Sequence, residues 1–512
     1  MVTADLLLYG GRILTLDPVQ PAVEAVATAS GQILAIGKEA DLHSLVSSRT
    51  QTISCVGRTV LPGFIDPHLH LFSWASRFFG VDLSAARSLV EVQIQLARHL
   101  PLLSPDAWLR GYGYDEFFLA EKRHPTRHEL DVVSTDHPII LRHRTGHAAV
   151  LNSSGLRQAK LDRFSVIPAG AIIDRELATG EPTGLLYEAE KYLRAVIPPL
   201  STPEFTTGVQ RANEELLRQG VTSFHDAGAG NTLEDFFLFQ RLSTNGILKP
   251  RAMVMIGTDG FPQVREAQLL PFSGSDRVRL GSIKIMIHEG RGEIYPPPKE
   301  LRDMVWQAHR QGFQVALHAV EEGAVAAALD AIAQARQRQL RQNHRHRIEH
   351  CALYPPPFIE QLRDTGSQVV TQPGFLYFYG EKYAAEVAPE LHDWLYRTKS
   401  LMAQGIHVAG SSDCPIAPLS PLVGIQAAMT RKTRTGISLN PCDTLTLDEA
   451  LGLFTRAGAW TGFEEQQKGR IMPGMLADLI VLDGDIATLP AEELAARKVV
   501  MTIIAGEIVW SE

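Results

Sequence analysis

The sequence predicts an α/β fold: a (β/α)8 TIM barrel, a small β-sandwich domain formed by both termini, and an inserted cap after the first barrel strand. The middle of the chain alternates short apolar segments with segments of helix length, which is typical of parallel strands joined by crossover helices. Both ends of the chain are instead rich in short β-type segments. A chain of 512 residues is long enough for one large domain and a smaller one.

The terminal segments combine β-type runs with turn signals. Ser30-Gly31 predicts a two-residue hairpin turn, and Ala505-Gly506 predicts a second turn near the C-terminus. We expect residues 1–59 and 461–512 to form the β-sandwich together. The predicted strands are residues 5–14, 23–29, 32–37, 52–56, 59–61, 479–482, 499–504 and 507–510.

Eight apolar segments between these ends predict the barrel, which we expect to occupy residues 60–460. Eight βα units close into a barrel whose active site lies at the C-terminal strand ends. Residues 73–203 are too long for a simple connection and contain predicted strands and a helix (187–197), so they predict the inserted cap. The predicted barrel strands are residues 60–65, 221–225, 252–256, 282–287, 314–318, 347–350, 368–371 and 407–411.

Composition and charge restrict the class of partner. A net charge of −8 argues against a broad nucleic-acid surface and favours a small-molecule substrate. The first residues do not resemble a secretory leader, and no run of about 18 apolar residues follows, so we expect a cytoplasmic protein that does not span a membrane. The four cysteines are scattered and predict neither a disulfide framework nor a thiolate zinc site. The oligomeric state stays open, a homo-oligomer included.

The strongest local signal is the segment GFIDPHLH at residues 63–70. Side chains alternate along an extended segment, so His68 and His70 point the same way and can hold one metal ion. The alternative is two ordinary polar residues in a loop, and an isolated pair of this kind is a weak signal. The other polar strand ends therefore decide the interpretation.

Three further metal-binding residue types end predicted strands. His318 ends the apolar run 315–317, His350 ends the segment 347–349, and Asp413 closes the segment 408–412. A barrel gathers such ends on one rim, so with His68 and His70 they predict a metal centre. Imidazole and carboxylate ligands suit zinc best, with iron, manganese and cobalt as alternatives.

Lys284 lies inside the otherwise apolar strand 282–287. A free ammonium buried there is costly unless it is neutralised or paired. Carboxylation would make it a carbamate anion able to bridge two cations. The alternative is a lysine whose amine reaches water or pairs with Glu289.

With these residues in place, the sequence resembles the amidohydrolase superfamily, in particular its YtcJ-like, amidohydrolase-3 branch. The resemblance covers nearly the whole chain, and its motifs are specific in combination. They are LPGFIDPHLH at 61–70, GHAAVLNS at 146–153, GVTSFHDAG at 220–228, RIEH at 347–350, SSDCP at 411–415 and GMLADLIVL at 474–482.

The resemblance implies a metal-bearing barrel beside a β-sandwich. It implies that His68 and His70 bind the more buried ion with Asp413, that His318 and His350 bind a second ion, and that carboxylated Lys284 bridges the two. One segment departs from the branch, which commonly has an Asp-Gly-Ser type of sequence after the lysine strand, where this chain has HEGRGE at 288–293. The substrate end of the pocket can therefore differ, and Glu289 is a rival ligand.

Four other residues are candidate substrate contacts. His147 and His225 could polarise a substrate carbonyl, with a structural role as the alternative. Gln372 and Tyr377 follow the seventh predicted strand, and loop packing is their alternative. Cys351 and Cys414 neighbour predicted ligands, but no histidine partner marks either thiol as a nucleophile.

The function expected from these residues is that of a metal-dependent hydrolase that cleaves an amide-type C–N bond, linear or cyclic, in a small molecule. A metal-activated hydroxide would attack the carbonyl, and Asp413 would act as general base and then general acid. Ester hydrolysis on the same centre is the alternative within enzymes, and a lyase or isomerase using the same metals is a third. A non-catalytic scaffold with this fold is the alternative outside enzymes, although every candidate ligand position holds a metal-binding residue type.

Overall fold

The computed structural model describes residues 3–104, 107–167, 170–290 and 293–512. Arg291 and Gly292, part of the segment that departs from the family pattern, lie outside the described residues. The chain divides into two compact units. One unit is Met1–His70 with Asn213–Glu512, and the other is Leu71–Ala212.

Strands are numbered in chain order. They are β1 Leu6–Leu14, β2 Ala22–Ala29, β3 Gln32–Gly37, β4 Gln51–Ser54, β5 Thr59–Pro62, β6 Phe64–Leu69, β7 Val81–Asp82, β8 Leu109–Tyr114, β9 Ile139–His143, β10 Ala148–Leu151, β11 Ile172–Arg175, β12 Pro182–Tyr187, β13 Val221–Asp226, β14 Arg251–Gly257, β15 Val278–Met286, β16 His288–Gly290, β17 Glu293–Tyr295, β18 Val315–Ala319, β19 Arg347–His350, β20 Gln368–Thr371, β21 Val408–Gly410, β22 Leu479–Leu482, β23 Val499–Ile504 and β24 Glu507–Ser511.

The α-helices follow the same rule. They are α1 Glu39–Leu42, α2 Leu71–Arg77, α3 Leu89–His99, α4 Arg127–Asp131, α5 Ser153–Gln158, α6 Glu190–Val196, α7 Thr202–Arg218, α8 Leu233–Thr244, α9 Phe261–Glu266, α10 Pro298–His309, α11 Glu322–Arg338, α12 Pro357–Thr365, α13 Gly374–Glu386, α14 Lys399–Ala403, α15 Pro421–Thr430, α16 Leu447–Leu453 and α17 Arg456–Thr461.

Strands from both ends of the chain form one sheet in the order β24-β23-β22-β5-β1-β2-β3, with β4 paired to β1. Alternation along β1 sends Leu6 and Leu8 into one apolar cluster and Leu7 into another, so both faces of the sheet are covered. The predicted hairpin turn between β2 and β3 is present. Ser30 and Gly31 both have positive φ, 51° and 78°, as a type I′ turn requires.

The predicted parallel barrel is confirmed. Its eight strands run in the order β21-β20-β19-β18-β15-β14-β13-β6, and every neighbouring pair is parallel. Backbone hydrogen bonds join the first and last strands beyond β21: the Asp413 amide donates to the His68 carbonyl at 2.9 Å, and the His70 amide donates to the Cys414 carbonyl at 2.7 Å.

The first barrel strand differs from its predicted bounds of 60–65. The chain turns at Gly63, so that β5 pairs with β22 in the terminal sheet while β6 begins the barrel at Phe64. A β-carbon at Gly63 would come within 2.2 Å of Oγ1 of Thr222, so only glycine allows this approach of β6 to β13. The apolar run 60–65 is continuous in sequence because both halves are buried, in two different sheets.

The second unit, Leu71–Ala212, contains a sheet of its own in the order β11-β12-β10-β9-β8-β7. Leu141 of β9 packs into one apolar cluster with α3, while the adjacent Ile140 packs into the cluster on the other face. The unit therefore has its own core. In the described parts of the chain, no helix combines the length and the apolar character needed to cross a membrane.

Candidate metal centre

Three predicted ligands meet where the first and last barrel strands end. His68 lies on β6, His70 directly follows it, and Asp413 follows β21. Nε2 of His70 is 3.1 Å from Oδ1 of Asp413, and Nε2 of His68 is 3.5 Å from the same oxygen. Ligand atoms of the three side chains all lie within 4.8 Å of one another, which is a spacing that one metal ion can bridge.

His350 and His318 form a second pair beside this group. Nε2 of His350 is 2.9 Å from Nδ1 of His318, and the His350 ring centroid is 5.0 Å from that of His68. Nδ1 of His350 is 4.0 Å from Oδ2 of Asp413. Five of the six predicted ligands are therefore connected by direct contacts.

Two of these residues have an uncommon backbone conformation. His350 has φ of 69° and Asp413 has φ of 56°, both in the left-handed region that residues other than glycine rarely adopt. Such strain persists where the surrounding structure requires it, and it concentrates at functional sites.

Lys284, the sixth predicted ligand, is 2% exposed on β15. Among the described residues, its Nζ has no hydrogen-bond partner. Burial lowers its pKa to about 8, although the nearby carboxylates of Glu349 and Asp413 act in the opposite direction. The alternative in which the Lys284 amine reaches water does not agree with this burial.

The orientation of His68 depends on Glu349, a residue that the sequence analysis did not select. Nδ1 of His68 contacts Oε2 of Glu349, so the protonated Nδ1 faces the carboxylate and Nε2 faces Asp413. Arg347 holds Glu349 through Nε and Nη2, and its Nη2 also donates to the Pro67 carbonyl at 2.6 Å. The sequence did contain a signal for this pair. Residues 347 and 349 are two positions apart on β19, so their side chains point to the same face of the strand.

Gln372 has a similar relation to His350. Oε1 of Gln372 is 2.8 Å from Nδ1 of His350, while its Nε2 donates to Oγ of Ser411 at 3.0 Å. Predicted as a substrate contact, Gln372 is fully buried, and both ends of its carboxamide contact protein groups. This arrangement directs Nε2 of His350 towards His318.

Asp66 is the second site residue that the sequence analysis did not select. Its carboxylate accepts hydrogen bonds from the His68 amide at 3.1 Å and from the Ser412 amide at 3.1 and 3.2 Å, so it ties β6 to the loop that carries Asp413. Burial raises its pKa to about 7. Its position two residues before His68, on the same face of the strand, was the available signal.

The pKa values of the two buried aspartates shift in opposite directions. Burial alone would raise the pKa of Asp413, but the hydrogen bond with His70 and the electrostatic interactions with the His68 and His350 imidazoles lower it below its usual range. Burial lowers the pKa of His68, as do Lys284 and the neighbouring imidazoles. Asp413 is therefore ionised and His68 is neutral near neutral pH, which are the forms that bind metal ions.

The three remaining candidate substrate contacts, His225, His147 and Tyr377, contact other protein groups. His225 is buried, with its Nδ1 accepting from Nη1 of Arg347 at 3.0 Å. Nδ1 of His147 lies 2.7 Å from Oε1 of Glu188, within the Leu71–Ala212 unit. The ring of Tyr377 packs against Phe378 on α13.

Glu289, the rival ligand, lies against the start of α11. A β-carbon on Gly323 would come within 2.5 Å of its Oε2.

Burial raises the pKa of Cys351 to about 12, which agrees with the expectation that this thiol is not a nucleophile.

A sequence model of the Amidohydrolase family matches residues 51–510. The chain belongs to the amidohydrolase family. This amidohydrolase is 28% identical to the putative amidohydrolase YtcJ of Bacillus subtilis (strain 168), across 98% of this chain and 99% of that protein. It is 27% identical to the N-substituted formamide deformylase of Arthrobacter pascens, across 98% of this chain and 97% of that protein.

The fold of this amidohydrolase also matches a solved structure. The crystal structure of an uncharacterized metal-dependent hydrolase from Pyrococcus horikoshii OT3 superposes with a TM-score of 0.77 at 24% identity, and the match covers 96% of this chain and 99% of the other. Membership of the amidohydrolase family identifies the chain as a hydrolase, and the solved structure shares its fold.

The residues present fit a divalent metal ion. The group contains four imidazoles and one carboxylate, a donor set that zinc and related ions prefer. His68 and His350 each have Nδ1 in contact with a side-chain oxygen of another residue, an arrangement typical of metal-binding histidines.

Proposed function

We propose that this amidohydrolase is a metal-dependent enzyme that cleaves an amide-type C–N bond, linear or cyclic, in a small molecule. The observation that carries the proposal is the meeting of His68, His70 and Asp413 within 4.8 Å at the ends of the first and last barrel strands. In a barrel of this kind, polar residues at the C-terminal strand ends form the catalytic centre.

The ligand assignment follows the two groups of contacts. His68 and His70, with Asp413, would hold one ion, and His318 with His350 would hold a second. Lys284, carboxylated on Nζ, would bridge them. We favour zinc because the donors are mainly imidazole nitrogens. Divalent ions bound there supply Lewis acidity, which polarises the scissile carbonyl and makes water a nucleophile near neutral pH.

Asp413 is the residue we assign to proton transfer. Its lowered pKa keeps the carboxylate ionised at neutral pH, so it can accept a proton from the attacking water. The same carboxyl then delivers that proton to the leaving nitrogen. This transfer converts a poor amide leaving group into a neutral amine.

Two positioning residues support this chemistry. Glu349 orients His68, and Gln372 orients His350, in each case by contact with Nδ1. Neither touches the reacting atoms in this scheme, but together they fix the direction of two Nε2 lone pairs.

The choice of an amide over an ester rests on the relative named N-substituted formamide deformylase, which matches this chain almost end to end. The test is a screen of N-substituted formamides, N-acyl amino acids and cyclic amides against the zinc-loaded protein, with matched esters in parallel. Release of amine that Asp413→Asn abolishes supports the proposal. Ester cleavage without amide cleavage would overturn the C–N assignment, and no turnover of any compound by the loaded protein would favour the scaffold.

A further inference from the structure

A second group of metal-ligating side chains lies within the Leu71–Ala212 unit, at the ends of two neighbouring strands. Strands β8 and β9 are parallel, with Tyr114 opposite His143. Asp115 and Glu116 directly follow β8, so the register places both carboxylates beside the His143 imidazole. Ends of parallel strands commonly form ligand sites for this reason.

The distances are those of a compact donor set. Nε2 of His143 is 2.8 Å from Oε2 of Glu116 and 3.8 Å from Oδ1 of Asp115. Ligand atoms of these three side chains all lie within 4.8 Å of one another. Nε2 of His124 is 3.8 Å from the same Glu116 oxygen, which adds a second imidazole.

Both imidazoles contact a hydroxyl group on the side away from Glu116. Nδ1 of His143 is 2.8 Å from Oγ1 of Thr145, and Nδ1 of His124 is 3.0 Å from the Tyr114 hydroxyl. Each Nε2 therefore faces the carboxylates. Metal-binding histidines are held in this way, with the second ring nitrogen fixed by an oxygen.

The burial of His143 is the independent observation that points to a ligand. Its side chain is only 7% exposed. Across the described residues, its Nε2 has no hydrogen-bond partner, although it lies 2.8 Å from Oε2 of Glu116. A buried nitrogen left without such a bond is costly, and a metal ion would satisfy it.

The charge around the group suits one divalent ion. Nε of Arg144 donates to Oδ2 of Asp115 at 2.6 Å. Oδ1 of Asp115 accepts from the Phe117 amide at 3.0 Å and lies 3.8 Å from Nε2 of His143. Two carboxylates and one guanidinium carry a net charge of −1. The set has mixed nitrogen and oxygen donors, as zinc and cobalt prefer.

We infer that His143, Glu116 and Asp115, with His124 as a fourth ligand, bind a structural divalent ion of the zinc class, separate from the barrel centre. The ion links the segment after β8 to the end of β9. This site does not depend on the proposed hydrolytic function, since all its residues belong to the Leu71–Ala212 unit.

The test compares zinc and cobalt content of the full-length protein with that of His143→Ala and Glu116→Leu, after equilibration with the same buffered free metal. Each variant should hold one metal equivalent less per chain. The visible d–d absorption of the cobalt-loaded variant should be weaker than that of the cobalt-loaded parent. His128→Ala is the matched control, because that histidine is in the same unit but is 67% exposed. It should retain the full metal content.

The comparison is repeated in a His68→Ala/His70→Ala background, where barrel-bound ions contribute less. Thermal unfolding shows whether each variant folds, and Glu116→Leu, which keeps a similar side-chain volume but has no ligand atom, serves if His143→Ala does not. Metal content in a folded variant equal to that of its parent would overturn the site. An ion pair between His143 and Glu116 would then explain their approach.

Discussion

Nδ1 of His68 faces Oε2 of Glu349, and the two side chains are 1% and 0% exposed. The carboxylate therefore sets which imidazole nitrogen of His68 points at Asp413. We expect Glu349→Gln to weaken zinc binding by about 10- to 100-fold, because an amide holds the His68 tautomer less firmly. Competition with a chromophoric chelator measures the affinity.

Glu464→Gln is the control for losing a buried carboxylate. Glu464 pairs with Lys468 at 2.8 Å and is 6% exposed. It should lose stability, seen as a lower Tm, while zinc affinity stays unchanged. Equal zinc affinities for Glu349→Gln and the parent protein would remove Glu349 from the positioning role.

Replacing both His68 and His70 with alanine should lower the content of bound metal and abolish turnover, since half of the predicted imidazole donors are lost. Elemental analysis and the substrate assay on one sample test this. The control is His43→Ala/His128→Ala, whose side chains are 57% and 67% exposed and which should behave like the parent. Full metal occupancy in the first double variant would contradict the ligand assignment.

Asp413→Asn separates metal binding from proton transfer. An amide can still supply an oxygen ligand but cannot accept a proton at neutral pH. We expect most of the metal to remain while kcat falls by about 100-fold or more. A near-normal kcat with metal retained would exclude Asp413 as the general base.

Lys284→Ala should lose both metal and activity, because the carbamate that we propose supplies two oxygen ligands and reverses the charge of the side chain. Short carboxylic acids at high concentration should restore part of both. Lys468→Ala, which removes another buried lysine, should keep its metal. Carbon-13 NMR of protein equilibrated with labelled bicarbonate detects the carbamate directly, and its absence from an active, fully loaded enzyme would contradict the bridge.

Three buried histidines, His309, His344 and His346, make the free energy of unfolding depend on pH. Nδ1 of His309 is 2.7 Å from Nε2 of His346, whose Nδ1 accepts from the Val315 amide. Burial lowers the pKa of His344 from 6.5 to about 4, and it lowers the pKa of the other two. The unfolded chain therefore takes up protons at a higher pH than the folded protein does.

Their contribution to the free energy of unfolding is complete above pH 6.5 and falls as the pH drops towards 4, by at most about 1.4 kcal/mol per pH unit for each histidine. Urea unfolding at several pH values measures this slope. His344→Gln should have a shallower slope than the parent over the same range. An identical slope would show that His344 titrates alike in both states.

Sequence periodicity was sufficient for the barrel, because short, mainly apolar segments alternate with segments of helix length along the middle of the chain. It was insufficient at residues 60–65, since an apolar run cannot show that Gly63 divides it between two sheets. The four histidines and Asp413 were selected because a barrel gathers its strand ends on one rim.

Glu349 and Asp66 were not selected, because their contacts in the site are with residues that are distant in sequence. Glu349 contacts His68, and Asp66 contacts the Ser412 amide. Gln372 shows the same limit: its position after β20 was visible in the sequence, but its contact with His350 depends on the pairing of β19 with β20.

The pairing of β5 with β22 has a consequence for biosynthesis. Strand β5 leads through Gly63 into β6, which carries His68, yet its antiparallel partner begins at Leu479. During translation, the segment before the first barrel strand therefore waits for nearly the whole chain before this edge is paired. A nascent chain halted before residue 479 exposes an apolar strand edge, which is a site for chaperone binding or for association with other nascent chains.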